Sequence, residues 1–394
     1  MHAPRAFVYV QHLLGIGHLQ RAAVLARALA AQGFEATLAS GGRVPPDMAR
    51  ALPAQGVRLV QLPPASAADL SFKVLHDESG REIDDAWKQR RAAALLQAWR
   101  AASSAAPAQL LVLELFPFGR RQMRFELLPL LEAAATAVPR PAIVCSVRDI
   151  LGGLKSRERR AEAIALVERY FDRVLVHGDE KVIAFERTFP EARRIAQRIV
   201  HTGYVVATAP QAQGGAGTDE VVVSAGGGAV GARLLEAAIG AKALGSLRER
   251  TWRLLAGNNL PEADFQRLGA LAARERGIVL ERARADFTTL LANCALSVSQ
   301  AGYNTLLEAV GAAARAVVVP FSGGHETEQA LRARCFAERG LVEVVEETAL
   351  SPQALAAAIE RASRRARPAP GAIDLGGARR SAELLAALVG EGRE

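Results

Sequence analysis

The chain has 394 residues, half of them hydrophobic, which is enough for two domains with substantial cores and argues against a generally disordered protein. Its net charge of +8 is compatible with an anionic partner, but few aromatic residues accompany the basic clusters, which disfavours stacking of single-stranded nucleic acid. Three cysteines without metal-ligand spacing predict a reducing compartment and no disulfide framework. The absence of a signal-peptide pattern and of an apolar run of about 18–20 residues predicts a cytoplasmic protein.

Short apolar runs alternate with helix-length amphipathic runs from the start of the chain, a pattern typical of α/β folds with parallel sheets. In the first half, strands are predicted at AFVYVQ (6–11), EATLAS (35–40), QLLVLE (109–114), AIVCSV (142–147) and RVLVHG (173–178). A helix is predicted at about 18–32. The polar, weakly periodic span 65–86 is predicted to be a long loop or insertion of the kind that often covers a site.

The stretch 207–220 is rich in proline, glycine and small residues, and is predicted to be the interdomain linker. The alternation then restarts, with apolar runs in VVVS, WRLLAG, GIVLE, ALSVSQ, AVVVPF and LVEVVE. We therefore expect two consecutive Rossmann-like α/β domains facing each other across a cleft. The predicted bounds are 1–206 for the first domain, 207–366 for the second and 367–394 for a C-terminal tail helix.

A first glycine turn, GIGH, contains Gly15, Gly17 and His18 and follows the first predicted strand. Such a turn lets backbone amides approach an anion at a helix N-terminus. Gln20 occupies the third glycine position of a dinucleotide fingerprint and no Lys-Ser/Thr pair follows, so nicotinamide and Walker-type sites are disfavoured. His18 remains a candidate general base at the rim of the sheet, although an isolated histidine often only fills such a turn.

A second glycine turn, SAGGG (224–228), follows a strand and precedes a helix. The Ser224 hydroxyl and the amides of Gly226, Gly227 and Gly228 are placed to hold a phosphate, or the segment is a compact turn without a ligand.

A third segment, SQAGYNTLLEAVG (299–311), ends a strand and starts a helix, with Gly302 and Asn304 at the helix start. Glu308 lies about one turn into that helix, where a carboxylate can accept two hydrogen bonds from a vicinal diol such as that of a ribose. Beyond the next strand, His325, Glu328 and Gln329 are candidates to bind sugar hydroxyls. The alternative for Glu308 is an ordinary solvated helix residue.

The block 297–340 resembles the C-terminal half of family-28-type glycosyltransferases of the GT-B fold. That group includes the N-acetylglucosaminyltransferase of peptidoglycan lipid-intermediate synthesis. The segment GIGHLQRA resembles the first loop of the same superfamily, and related nucleotide-sugar hydrolases carry both segments. The order of elements matches over nearly the whole chain, and the detailed match is confined to the three glycine-containing segments.

The resemblance implies a donor-binding second domain. Glu308 would bind the ribose, the loops Ser224–Gly228 and Ser299–Asn304 would hold the diphosphate, Glu328 and Gln329 would contact the donor sugar, and the backbone near Phe287 would flank the base. Family members often have an arginine in the segment that corresponds to TGYVVATAP (202–210), and this chain has none there, so Arg233 or Arg148 would have to replace it. The tail helix would cross back onto the first domain, as it often does in GT-B folds.

The first domain would then bind the acceptor, with His18 as the catalytic group in the cleft. Glu114 ends a predicted strand and is expected to orient His18 and stabilise its protonated form. Arg120 follows the same strand as Glu114, and Arg148 and Asp149 lie at another strand end; all three are candidates for the acceptor pocket. In the alternative interpretation, Glu114 and Arg148 form a structural ion pair with each other.

The sequence thus predicts an enzyme that moves a sugar from a nucleotide diphosphate sugar, most simply a UDP-sugar, to a hydroxyl acceptor. The nucleotide sugar is a substrate, so no cofactor is expected, and without an Asp-x-Asp motif at a strand end no metal is expected. An anionic or lipid-linked acceptor, and peripheral contact with the inner face of an anionic membrane, stay open. The alternatives are a nucleotide-sugar hydrolase or epimerase on the same fold and, more remotely, a nucleic-acid-binding or regulatory module with strongly salt-dependent binding.

Overall fold

In a computed structural model the chain divides into two compact units: unit 1 is Met1–Ala207 with Gly376–Glu394, and unit 2 is Thr208–Leu375. The structure describes residues 3–69, 72–152, 156–206, 212, 214–226, 231–321 and 327–391. Three of the predicted donor-binding residues, Gly227, Gly228 and His325, lie outside the described residues. So do residues 207–211 and 213 of the predicted linker.

Fifteen strands are assigned in the described part of the chain. Those of unit 1 are β1 (Arg5–Val10), β2 (Glu35–Ser40), β3 (Val57–Gln61), β4 (Ser66–Ala67), β5 (Leu75–His76), β6 (Leu110–Glu114), β7 (Ala142–Arg148), β8 (Arg173–His177) and β9 (Ile199–His201). Those of unit 2 are β10 (Val221–Ser224), β11 (Trp252–Ala256), β12 (Ile278–Arg282), β13 (Leu296–Gln300), β14 (Ala316–Val319) and β15 (Glu343–Val344).

Helices connect the strands on both sides of each sheet. They are α1 (Gly17–Ala31), α2 (Pro46–Ala54), α3 (Asp85–Ala102), α4 (Arg124–Ala135), α5 (Arg157–Tyr170), α6 (Ala232–Lys242), α7 (Glu262–Ala272), α8 (Phe287–Asn293), α9 (Tyr303–Gly311), α10 (Glu328–Glu338), α11 (Pro352–Arg364) and α12 (Gly377–Glu391). Short 3-10 segments lie at Arg121–Met123, Phe185–Arg187, Pro190–Arg198 and Glu347–Ala349.

The main sheet of unit 1 has the strand order β3-β2-β1-β6-β7-β8-β9, with every pair parallel. Strands β1, β6 and β7 are almost entirely buried. Their continuous apolar runs suit a parallel sheet covered by helices on both faces. The strand order reverses direction between β1 and β6, which creates a topological switch point at their carboxyl ends, where open α/β sheets bind ligands.

The C-terminal helix α12 belongs to the core of unit 1. Leu385 and Val389 of α12 lie in the same buried cluster as Leu25 and Leu29 of α1 and the strand residue Val8. The chain therefore returns to unit 1 after completing unit 2.

The sheet of unit 2 has the order β12-β11-β10-β13-β14-β15, again parallel throughout. Its switch point lies between β10 and β13. The buried cluster on one side of this sheet joins Val221 and Val223 of β10 to Leu235 and Ile239 of α6 and to Leu355 of α11.

The predicted α/β class with two Rossmann-like domains is confirmed. Among the strands of the main sheet of unit 1, β3 and β9 lacked a prediction, and both lie at the edges of that sheet, where half-exposed residues weaken the apolar signal. The span predicted as a loop at 65–86 contains the short antiparallel pair β4–β5 and the Asp84 cap of α3. Among the described helices, none is long and apolar enough to cross a membrane.

Candidate functional site

The switch point of unit 1 brings His18 and Glu114 together. His18 lies in the first turn of α1, directly after the β1 loop, and Glu114 is the last residue of β6. The distance from His18 Nδ1 to Glu114 Oε1 is 2.9 Å. The predicted pairing of the histidine with this carboxylate is therefore present in the geometry, while its catalytic role stays a prediction.

Glu114 is 1% exposed and lies in a dense set of donors. The guanidinium of Arg21, itself buried, forms an ion pair with Oε1, and the Ser146 hydroxyl donates to Oε2 at 2.6 Å. Burial alone would raise the pKa of the Glu114 carboxyl, but Arg21 and the hydrogen bonds from His18 and Ser146 outweigh it and hold that pKa well below its usual range. Glu114 is therefore a carboxylate at neutral pH.

The protonation of His18 follows from its neighbours. Burial lowers the pKa of His18 to about 3. The hydrogen bond with Glu114 acts to raise this pKa, whereas the charges of nearby arginines lower it further, so the imidazole is neutral at pH 7. An Arg21 nitrogen also lies 3.2 Å from Nδ1, but Nδ1 is closer to the Glu114 carboxylate, at 2.9 Å. An ionised carboxylate only accepts, so Nδ1 carries the proton, and no described residue hydrogen-bonds Nε2.

Two further arginines surround this pair. Both Arg120 and Arg148 lower the pKa of His18 through their charge, and a Cβ added at Gly17 would lie 3.0 Å from an Arg148 guanidinium nitrogen. Arg120 has a left-handed backbone (φ 61°), and its Nε donates to the Gln11 carbonyl at 2.7 Å. Three guanidiniums, counting Arg21, thus act through their charge on His18.

Two predictions for this region need separate mention. Asp149 is fully buried and packs against Gly178 at the end of β8. The arginine that pairs with Glu114 is Arg21, which the sequence analysis did not consider, so the alternative Glu114–Arg148 pairing is not what orders this carboxylate. The signal was available, since Arg21 lies one helical turn after His18 on the same face of α1.

The switch point of unit 2 contains the second glycine turn. The Ser224 hydroxyl accepts a hydrogen bond from the Gly226 amide at 3.2 Å, and Gly226 has φ +71°. Gly231, which caps α6, has φ +142°, and a Cβ there would lie 2.5 Å from the Ala225 Cβ. The loop before α6 therefore requires glycine for both its conformation and its close packing.

The facing loop follows β13. Gly302 caps α9 without a side-chain hydrogen bond, and Asn304 lies in the first turn of the helix. The Ser299 hydroxyl is buried and has no hydrogen-bond partner among the described residues. A buried hydroxyl without a partner costs free energy unless a ligand satisfies it.

Glu308 is the carboxylate of this second site. It is largely buried on α9 and has neither a hydrogen bond nor an ion pair among the described residues. Burial raises its pKa to about 7. A carboxylate held in this way has both oxygens available to hydroxyl donors, as the predicted ribose contact requires.

The remaining donor predictions fall on residues that already have protein partners. Glu328 pairs with Arg332 at 2.9 Å, and Arg332 lies over the Tyr303 ring. The Gln329 side chain accepts from the Phe321 amide at 3.1 Å and so supports the loop after β14. Phe287 starts α8 and packs against a small buried cluster.

A cavity of about 250 Å³ opens between the start of α6 and the ends of β13 and β14. Gly231, Arg233, Gln300 and Phe321 contribute to its walls. Arg233 is exposed and has no ion pair among the described residues, so it is the better placed of the two predicted replacements for the missing family arginine. No group of three His, Cys, Asp or Glu side chains suited to a metal ion occurs in the described parts of the chain.

A search of known families and structures agrees with this geometry. Residues 222–371 match the model of the glycosyltransferase family 28 C-terminal domain. A comparison with curated protein sequences finds no match.

The whole chain resembles solved glycosyltransferase structures at low sequence identity. The match to CalG4, the calicheamicin glycosyltransferase, covers 100% of this chain and 96% of CalG4, with 18% sequence identity and a TM-score of 0.59. The match to MurG of Acinetobacter baumannii covers 97% of this chain and 99% of MurG, with 14% sequence identity and a TM-score of 0.56. For Os79 of O. sativa, solved in complex with UDP, they are 98% and 100%, with 14% identity and a TM-score of 0.62. The chain has the GT-B fold of these glycosyltransferases, and its residues 222–371 match the glycosyltransferase family 28 C-terminal domain.

Proposed function

We propose that the protein transfers a sugar from a UDP-sugar to a hydroxyl acceptor, with His18 as the general base and the unit 2 switch point as the donor site. The acceptor hydroxyl gives its proton to His18 Nε2, and its oxygen forms a bond to the anomeric carbon of the sugar. The bond between that carbon and the diphosphate breaks, and UDP leaves with the electron pair. Backbone amides at the glycine loops and helix starts of unit 2 stabilise the departing charge.

The observation that carries this proposal is the His18–Glu114 pair. A neutral imidazole whose Nδ1 donates to a buried carboxylate keeps its Nε2 lone pair for a proton, and the carboxylate stabilises the imidazolium that forms. The ligand-binding edge of a Rossmann-like sheet is where such a base would meet a substrate.

Donor binding is proposed for polar groups around the switch point of unit 2. Glu308 accepts hydrogen bonds from the ribose hydroxyls, and the loops around Ser224 and Ser299–Asn304 hold the diphosphate, with Arg233 as a cationic contact. UDP is favoured as the nucleotide because one similar structure, Os79, was solved with UDP.

An anionic acceptor is proposed from the charge around His18. Arg148, Arg120 and Arg21 all lower the pKa of His18 through their positive charge, so a carboxylate or phosphate on the acceptor would be attracted to the region of this base. The exposed side chains of Leu14 and Ile16 in the loop before α1 would suit an apolar part of the same molecule.

The test is calorimetric titration of UDP, GDP, dTDP and ADP, in the presence of EDTA, into the wild type and Glu308→Ala. We expect one nucleotide, UDP, to bind, and its affinity to fall at least roughly 10-fold in Glu308→Ala because buried ribose hydroxyls lose their acceptor. Glu249→Ala removes an exposed carboxylate of the same unit and serves as the matched control.

If none of the four nucleotides binds, the donor site is wrong and the proposal fails. If UDP binds and a UDP-sugar is consumed without any acceptor, water is the acceptor and the protein is a hydrolase. Transfer that proceeds in EDTA supports the expected independence from metal.

A further inference from the structure

Behind Glu114, a line of hydrogen bonds crosses three neighbouring strands. Glu114 Oε2 contacts the Ser146 hydroxyl at 2.6 Å, Ser146 contacts His177 Nε2 at 2.9 Å, and His177 Nδ1 contacts the Thr202 hydroxyl at 2.9 Å. The parallel register pairs Glu114 of β6 with Ser146 of β7, and His177 is the last residue of β8. His18 joins the other carboxylate oxygen, so five side chains form one continuous line.

The direction of each hydrogen bond in this line follows by elimination. Glu114 is ionised and only accepts, so the Ser146 hydroxyl must donate to it at 2.6 Å. Ser146 has then used its single proton, and His177 Nε2 must donate to its oxygen. Burial lowers the pKa of His177 to about 3, so this imidazole is neutral and its Nδ1 is an acceptor that faces the Thr202 hydroxyl. That hydroxyl also lies 3.1 Å from the Gly203 carbonyl. The protons on Ser146 and on His177 Nε2 therefore both point toward Glu114.

The line is deeply buried. Ser146, His177 and Thr202 are 0–1% exposed, in a part of the sheet that apolar side chains would otherwise fill. Buried polar groups cost free energy unless they are hydrogen-bonded, and here each one satisfies the next. Packing alone does not require such residues, which points to a role in the site that the line reaches.

We propose that Ser146 and His177 are positioning residues that hold Glu114 in the orientation that keeps the His18 proton on Nδ1. With Oε2 held by Ser146, Oε1 stays directed at His18. If Oε2 lost this donor, the carboxylate could rotate and present both of its oxygens to Arg21, which already pairs with Oε1. His18 would then be able to carry its proton on Nε2, the atom whose lone pair a base needs. This inference rests on the proposed role of His18 as the base.

The experiment measures histidine tautomers by two-bond ¹H–¹⁵N NMR on ¹⁵N-histidine-labelled full-length protein at pH 7. Assignment uses the signals lost in His18→Gln and His177→Gln. In the wild type we expect His18 to be protonated at Nδ1 and His177 at Nε2. Finding the opposite tautomer at either residue overturns the proposal.

The variants then test the line itself. Ser146→Ala and His177→Leu should give His18 a mixture of tautomers, whereas His177→Gln, whose amide nitrogen can replace Nε2, should retain the wild-type tautomer. With a UDP-sugar and acceptor, kcat should fall roughly 10-fold or more in the first two variants while KM for the donor is unchanged. Folded variants in which the His18 tautomer does not change would contradict the proposal.

The two readouts separate this inference from the proposed function. A protein that shows the expected tautomers and responses but transfers no sugar refutes the role of His18 as a glycosyl-transfer base, while the positioning by Ser146 and His177 stands. A protein that transfers sugar with an unresponsive His18 tautomer refutes the positioning alone.

Discussion

The two units share one topology, yet the carboxylates at their switch points are in opposite states. Glu114 is paired with Arg21, His18 and Ser146, and its pKa is held well below the usual range. Glu308 has no partner among the described residues, and burial raises its pKa to about 7.

The difference separates two uses of a buried carboxylate. A carboxylate that supports a base needs fixed partners in the protein, because its task is to orient another side chain and stabilise its cation. A carboxylate that binds hydroxyl groups of a ligand needs both oxygens available, and its desolvation is offset only when the ligand is bound. Unit 1 therefore has a completed network, and unit 2 an incomplete one.

The largest expected effect comes from removing the base. His18→Ala should lower kcat by roughly 100- to 10,000-fold, because the acceptor hydroxyl loses the group that takes its proton. The affinity for UDP, measured by calorimetry, should not change, since donor binding is proposed for unit 2. His76→Gln, on the β4–β5 pair, is the control, and a kcat for His18→Ala within a few fold of wild type would exclude the base role.

Breaking the completed network should destabilise the protein. Glu114→Gln removes the carboxylate that pairs with buried Arg21 and should lower the free energy of unfolding by about 3–5 kcal/mol. Urea denaturation at pH 7 measures this change. A loss under about 1 kcal/mol would mean that Glu114 contributes little to the electrostatics around Arg21.

The corresponding substitution in unit 2, Glu308→Gln, should raise the free energy of unfolding, whereas Glu114→Gln lowers it. The folded pKa of Glu308 is about 7 and its ordinary value is 4.5, so the folded state binds more protons between these pH values and loses stability as pH rises through them. Glu308→Gln should therefore raise the free energy of unfolding at pH 8 by about 1–3 kcal/mol, while weakening UDP binding. This gain should vanish below pH 4.5, and its absence at pH 8 would show that Glu308 has another partner.

The last prediction concerns the two buried imidazoles of unit 1. His18 and His177 have pKa values of about 3, so the unfolded chain binds protons that the folded chain does not as pH falls from 6.5 toward 3. Each imidazole should remove about 1.4 kcal/mol of stability per pH unit in that window. Because Glu308 acts in the opposite direction, the measurement compares wild type with His177→Gln between pH 6.5 and 4.5. Equal slopes for the two proteins would contradict the neutral, buried state of His177.

Several parts of this molecule were predictable from residues alone. The apolar runs of β1, β6 and β10 are continuous because both faces of a parallel sheet are covered, and the glycine turns mark where those strands end. The two Rossmann-like units and the placement of His18, Glu114 and Glu308 at strand ends or helix starts followed from this alternation. The edge strands β3 and β9 were missed because exposed and half-exposed residues interrupt the pattern.

The sequence by itself determined the fold class, the glycine turns and the residue types at the carboxyl ends of the strands, because these depend on short-range periodicity and backbone conformation. Only the tertiary structure decided which of those residues meet. Glu114, Ser146 and His177 lie far apart along the chain and become neighbours through the parallel register of three strands. The partners of a carboxylate, and with them its charge state and pKa, are set by such long-range contacts and by burial, which no local pattern encodes.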